Sequence, residues 1–157
     1  MLAATLSPSY GIYSGFERCE NVPLTESSEE YLNSEKYEVK KRSLGGPLLP
    51  LVGRLNAVRR ANPALHELDN LTFLETENDN LIAYIKRSGD NAVIACVNLD
   101  PVGAHEGVVI VPPELGLPPA FDVSDLLGEE TFTWRTGSNY VRLEPGLQQA
   151  HLLHVEL

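Results

Sequence analysis

Residues 92–99, AVIACVNL, place seven apolar side chains in eight positions. A strand this apolar has no face to offer water, so it must be covered on both sides. That condition demands a sheet around it and a layer above and below. The flanking sequence supplies candidates. LTFLE, LIAYIKR, GVVIV, TFTW, YVRL and HLLHVEL are short, β-branched or aromatic runs. Between them lie ENDN, SGDN, LDPVG, RTGSN and EPG, which are turn chemistry. In NLIAYIKR, Leu81, Ala83 and Ile85 alternate with Ile82, Tyr84 and Lys86, the period of a strand. About seven short strands in roughly 90 residues predict an antiparallel β-sandwich from Ala64 to Leu157. No internal repeat or low-complexity segment interrupts it.

The preceding part reads differently. Leu2 to Leu6 is a short apolar run that stops at Ser7-Pro8 and has the character of the end of a helix. SYGIYSG reads as a short buried strand closed by Gly15, which needs neighbours to cover it. Residues 17–46 are polar and carry Gly45-Gly46, so they are expected to form a long loop, and loops of that length usually serve a function or are disordered. From Leu48 the positions Leu51 or Val52, Leu55, Val58 and Asn62 step by three and four, which predicts a helix. Pro47 and Pro50 suit its first turn and Pro63 ends it.

Charge narrows the classes of partner. The 157 residues carry a net charge of −10. From His66 onward there are fifteen acids and four bases, a net of −11, whereas residues 43–64 hold three arginines and no acid. This marks a boundary near Pro63. An acidic surface disfavours nucleic acid and anionic membrane, both of which require basic patches. No apolar run approaches the roughly 20 residues of a membrane span. Two widely spaced cysteines, Cys19 and Cys96, fit free thiols in a reducing compartment, with one disulfide as the alternative.

Few residues form a catalytic pattern. Glu29-Glu30 and Glu129-Glu130 are adjacent pairs, and neighbours on a strand point to opposite faces, so they read as solvated surface rather than acid/base dyads. His151 and His154 are expected to face oppositely on one strand, without further metal ligands nearby. The segment SEEYLNSEKYEVKKR, residues 28–42, is the exception. It sets Glu29, Glu30, Glu35 and Glu38 against Lys36, Lys40, Lys41 and Arg42. Lys36 and Tyr37 together suit a sugar, because an ammonium and a phenol both bond hydroxyls and the ring offers a flat apolar face. A surface charge lattice is the plain alternative.

The stretches LSPSYGIYSGFE, SSEEYLNSEKYEVKKR, LNAVRRANPAL and NLTFLETENDNLIAYIKR resemble the C-terminal end of the bacterial α-1,4-glucan:maltose-1-phosphate maltosyltransferases, members of the α-amylase superfamily. The likeness continues through VNLDP, DLLGEETFTW, NYVRLEP and AHLLHVEL. It implies a mainly β chain: residues 1–63 would end a (β/α)8 barrel and residues 64–157 would form the amylase-type C-terminal β-sandwich. In the barrel part, Leu2 to Ser7 would close the seventh helix, Tyr10 to Ser14 would be the eighth strand and Leu48 to Ala61 the eighth helix. The family's catalytic carboxylates lie on earlier strands, so the resemblance implies a fragment without catalytic residues of its own and without turnover alone. It carries a substrate-binding role over to Lys36 and Tyr37 of the Glu35-Lys36-Tyr37 motif, as contacts to the maltosyl unit of the donor. Asn33 stands where the family pattern has aspartate. Tyr10, Tyr13 and Glu17 would lie near the pocket with no assigned role. The implied partners are α-maltose 1-phosphate and α-glucan through the full-length enzyme, with no nucleic acid and no membrane, and a homo-oligomer is compatible. No cofactor or metal is implied, and the expected location is cytoplasmic. The alternative reading is a stand-alone carbohydrate-binding or structural sandwich, which would need exposed aromatics on one sheet face; Trp134, Tyr84, Tyr140 and the few phenylalanines are expected in the core instead.

Overall fold

A computed structural model describes residues 1–32 and 39–157. Its order is α1 (Leu2–Leu6), α2 (Leu49–Ala61) and eight strands: β1 (Leu71–Thr76), β2 (Leu81–Ser88), β3 (Asn91–Asn98), β4 (His105–Val111), β5 (Ala120–Asp125), β6 (Thr131–Arg135), β7 (Gly137–Leu143) and β8 (Ala150–Val155). The strands follow one another across the sheet as β6-β5-β8-β3-β2-β1-β4-β7, and every pairing is antiparallel. β1 is the corner. Its first residues, Leu71 to Leu74, pair with β2, while Glu75 and Thr76 pair with β4. A strand that changes partners midway lets the sheet fold back on itself, and the inner faces then meet as a sandwich. Val109, Val111, Val141 and Leu143 from β4 and β7 pack with Ile94, Cys96, Val123 and Leu153 from the other layer.

The AVIACVNL run behaves as its composition requires. β3 lies between β2 and β8, and it is buried from Ala92 through Asn98. Ile94 and Cys96 enter the sandwich core. Val93 and Ala95 point the other way, into a second core shared with Ala4, Leu55, Val58 and Leu65. That second layer is α1, α2 and a 3-10 turn over Pro63–His66. Residues on both sides of Pro63 therefore build one apolar layer. β2 alternates as expected: Leu81, Ala83 and Ile85 face the sandwich core, and Tyr84 and Ile82 face the helices. Lys86 follows the same alternation and is fully buried. Its Nζ donates to the Glu67 carbonyl at 2.5 Å. A buried ammonium without such an acceptor would be costly.

α2 begins one residue later than expected and ends at Ala61, with Asn62 extended ahead of Pro63. Leu55 and Val58 are its buried side chains, and Asn62 is buried beside them. Three expectations are corrected. β5, AFDVSD, was not anticipated, because half of its six residues are polar and two prolines precede it. Phe121, Val123 and Asp125 nonetheless alternate inward. Tyr10 to Ser14 is not a strand: it joins no ladder among the described residues, and Ile12 and Tyr13 are exposed at 38% and 53%. An extended segment becomes a strand only when a neighbouring strand takes its backbone hydrogen bonds. Finally, Tyr140 and Phe73 are exposed at 64% and 60%, while Trp134 and Tyr84 are buried as expected. Tyr140 lies on the outer face of β7, where its hydroxyl donates to Glu106 at 2.7 Å.

Candidate functional site

Lys36 and Tyr37 lie outside the described residues, as do Asn33 and Glu35. The segments on either side of them are described, and they meet. Outgoing residues Val22 to Leu32 form a small hairpin. Leu32 N–H donates to Val22 O and Leu24 N–H to Glu30 O, both at 2.7 Å, around an antiparallel bridge between Pro23 and Tyr31.

Below this hairpin the outgoing and returning chain are fastened together. Arg42 grips Glu20 with its fork: Nη2 lies 2.9 Å from Oε2, and Nε lies 3.1 and 3.3 Å from the two carboxylate oxygens. Arg42 Nη1 also donates to Ser14 Oγ at 3.3 Å. Arg18 adds its Nε 3.4 Å from Glu20 Oε1, and its Nη1 donates to the Ser43 carbonyl and hydroxyl at 3.3 Å. The Arg42 hydrogen bond, and then the charges of the surrounding bases, hold the Glu20 carboxyl below its usual pKa. Two glycines permit this closeness. Gly15 has φ +98, and a Cβ there would sit 2.5 Å from Glu20 Oε2. Gly46 has φ +133, and a Cβ there would collide with the Glu17 carbonyl. That same carbonyl accepts a hydrogen bond from Leu48 N–H at 3.1 Å. Both φ values are ones that side-chain-bearing residues rarely adopt. Above the fork a cleft of about 70 Å³ is lined by Tyr13, Ser14, Phe16, Glu20, Tyr31 and Arg42, among others.

The segment leading into this neck is anchored from α2. The Arg59 guanidinium lies 5.1 Å from the Tyr10 ring centroid. It donates to Pro8 O at 2.6 Å, to Ser7 O at 3.0 Å and to Ala4 O. The Tyr10 hydroxyl donates to Asn56 Oδ1. Glu17 accepts from Gly15 N–H at 3.2 Å, so its carboxylate serves the turn.

The remaining candidates are not brought together. Glu29, Glu30, Glu129 and Glu130 are exposed. His151 and His154 face opposite sides of β8: His151 packs edge-on against Phe132, and His154 lies 3.4 Å from Glu156. Among the described residues no group of three His, Cys, Asp or Glu side chains could hold a metal ion. Sequence reasoning missed a pair built on a buried carboxylate. Asp125 Oδ2 lies 2.7 Å from His151 Nδ1 and accepts from Gln148 at 3.0 Å, while its Oδ1 accepts from Leu127 N–H at 3.0 Å. Burial pushes the Asp125 pKa up, but the His151 contact and the backbone donors outweigh it and leave it below its ordinary value. The pair fastens the β5–β6 turn to β8. The signal for it was the inward alternation of Phe121, Val123 and Asp125.

The family described as GLGE, C-terminal matches residues 73–155, more than half of the chain. This chain belongs to that family. The GLGE C-terminal match starts in β1 and ends at the last residue of β8, so it coincides with the sandwich. Two α-1,4-glucan:maltose-1-phosphate maltosyltransferases of Streptomyces coelicolor are each 51% identical to this chain, over 99% of it and 24% of their own length. The maltosyltransferase of Picrophilus torridus is 41% identical over 99% of this chain and 25% of its own length. The chain thus spans about a quarter of the length of these curated relatives. A maltogenic α-amylase from Thermotoga neapolitana has a similar fold, with a TM-score of 0.68 at 12% identity, over 99% of this chain and 35% of that one. An α-amylase from Geobacillus thermoleovorans gives a TM-score of 0.56 at 12% identity, over 74% of this chain and 25% of its own. At these identities the amylases speak for the fold alone.

Proposed function

We propose that this GLGE C-terminal chain is the C-terminal part of an enzyme that transfers maltosyl units from α-maltose 1-phosphate to α-1,4-glucan. The observation that carries the reading is the extent of the likeness. The Streptomyces coelicolor maltosyltransferases match 99% of the chain, so the agreement includes the residues ahead of the family match at 73–155. Residues 1–63 then close a (β/α)8 barrel with its substrate loop and last helix, Tyr10 to Ser14 becoming the last strand once a neighbouring barrel strand takes its backbone hydrogen bonds, and residues 64–157 are the sandwich that buttresses it. Exposed apolar side chains support this division. Ile12, Tyr13, Phe16 and Leu51 are between 38% and 55% exposed and line a groove of about 360 Å³. Apolar surface of this kind is what a neighbouring barrel element would cover.

In this reading the barrel supplies the two carboxylates of a retaining displacement, and this chain supplies sugar contacts. The Lys36 ammonium donates to hydroxyls of the maltosyl unit, and Tyr37 adds a phenol and a flat ring face. A cytoplasmic location belongs to the same reading, and the unpaired Cys19 and Cys96 support it.

The test uses the polypeptide that carries these residues together with its barrel. A charged hydrogen bond contributes about 1.5–3 kcal/mol, so Lys36→Ala is expected to raise KM for maltose 1-phosphate by roughly ten- to a hundredfold. An unchanged KM would remove the sugar role. Residues 1–157 alone, given maltose 1-phosphate and glycogen, are expected to release no phosphate, and release would overturn the reading.

A further inference from the structure

The strand order begins at β6 and ends at β7, so the two edge strands of the sandwich flank an open seam. A cleft of about 40 Å³ lies there, lined by Phe132 and Trp134 of β6, Tyr140 and Val141 of β7, and His151 and Leu153 of β8. Three features set it apart from an ordinary gap between strands. Trp134 is 5% exposed, and its indole N–H has no hydrogen-bond partner among the described residues. A buried indole N–H usually finds an acceptor. His151 is held from behind, its Nδ1 lying 2.7 Å from Oδ2 of Asp125, whose side chain is fully buried. Phe132 packs edge-on against the same imidazole, with centroids 5.5 Å apart, so the ring is fixed from two sides. With Nδ1–H donated to the carboxylate, Nε2 of a neutral imidazole is an acceptor. Tyr140 completes the rim: it is 64% exposed, and its hydroxyl bond to Glu106 at 2.7 Å holds it in place.

The cleft offers one donor and one acceptor among apolar rings. A carboxylate or phosphate cannot donate to Nε2, and an ammonium cannot accept from the indole; a hydroxyl does both. The surroundings also disfavour an anion, since fifteen acids and four bases lie from His66 onward. At about 40 Å³ the cleft has room for a hydroxyl or a hydroxymethyl arm, and the ring bearing it must lie outside, on Tyr140. A pyranose meets these conditions, because its C–H face packs on an aromatic ring while its hydroxyls bond. We propose that the seam between β6 and β7 is a sugar-binding site of the sandwich, in which a glucosyl unit of α-1,4-glucan stacks on Tyr140 and turns a hydroxyl toward Trp134 Nε1 and His151 Nε2. The choice of α-glucan among sugars rests on the maltosyltransferase reading; the hydroxyl chemistry does not. The site is a contact additional to Lys36 and Tyr37, and it touches no reacting atom.

The experiment titrates maltoheptaose into residues 1–157 and follows the indole N–H in a nitrogen-15 spectrum. Trp134 is the chain's single tryptophan, so that resonance is assigned without ambiguity. A saturable shift with a Kd of about 1 mM or tighter is expected. Tyr140→Ala is expected to weaken binding about fivefold or more, with the amide spectrum otherwise retained because the ring lies outside the core. Trp134→Phe keeps a ring and removes the N–H; followed by the backbone amides of β6 and β7, it is expected to weaken binding about threefold or more. If Trp134→Phe does not fold, Tyr140→Ala carries the test. An indole resonance unmoved at about 10 mM maltoheptaose overturns the proposal. So does an unchanged affinity in Tyr140→Ala, which would place the sugar elsewhere. Equal binding of cellohexaose, the same units in β linkage, would overturn the choice of α-glucan. A resonance that moves on dilution and not with sugar would make the seam an interface between copies, and the proposal would fall. Turnover plays no part in these readings: a silent Lys36→Ala would remove the maltosyl contact assigned to that residue and leave binding at the seam to be measured by itself.

Discussion

The hydroxyls of Thr5 and Tyr84, 79 residues apart, meet at 2.6 Å in a fully buried contact. Thr5 is on the short α1 helix and Tyr84 is in the middle of β2. Five residues cannot hold a helix in water, because nucleation costs more than one turn returns. α1 therefore depends on what it packs against: Ala4 and Thr5 are its buried residues, and both lie over the sheet.

Tyr84→Phe should consequently loosen this attachment. It removes one buried hydroxyl while the Thr5 Oγ1 keeps the Met1 carbonyl as an acceptor at 3.2 Å. The expected loss is about 1 kcal/mol in a urea melt. Amide exchange should quicken in α1 more than in β3, since β3 lies in both cores. A variant as stable as the parent, or one in which both elements loosen equally, would show that the hydroxyl pair contributes nothing specific.

Asp100 offers a pH test. His105 Nε2 lies 2.9 Å from its Oδ2, and Val102 N–H donates to its Oδ1 at 2.8 Å. The His105 hydrogen bond first, then the backbone N–H groups of Val102 and Gly103, hold its pKa down to about 2. The unfolded chain would titrate near 3.9. A carboxyl held below its unfolded value stabilises the fold above that value, and the contribution disappears as pH falls through about 2. A carbon-13 titration should place the Asp100 midpoint near 2, and His105→Ala should move it upward. A midpoint that stays put in His105→Ala would assign the effect to the backbone donors alone.

The two cysteines should separate cleanly in a thiol assay. Cys19 is exposed and Cys96 is buried. Burial, with the Asp125 charge second, pushes the Cys96 thiol up to about 12. At pH 8 its thiolate fraction would be roughly ten-thousandfold below unity, and the sandwich core also blocks access. The native protein should react with one equivalent of a disulfide reagent and the denatured protein with two. Two fast equivalents from the native protein would mean that the sandwich opens on the assay timescale.

Much of the sandwich was legible in the linear order of residues, and the reason is local. A strand covered on both faces must be apolar throughout, so β3 announced its central place in its own eight residues. The alternation of β2 assigned its two faces, and Pro63 marked the end of α2 because a proline ring clashes with a helical predecessor. Family resemblance identified the chain's relatives from short motifs such as SPSYGIYSGFE and EEYLNSEKYE.

What the sequence could not disclose was every relationship that depends on a distant partner. Tyr10 to Ser14 has the composition of a strand and joins no ladder among the described residues, because strand character is completed by a neighbour's hydrogen bonds. Asp125 drew no attention in the linear sequence, because its partner His151 is 26 residues away and is brought against it only by β8. The clearest case is Glu20 with Arg42. Composition marked the region as a charge run, but only the folded chain, with Gly15 and Gly46 allowing the two arms to close, decided which charges touch. Periodicity records which way a side chain faces; only the path of the backbone through space determines what it meets there.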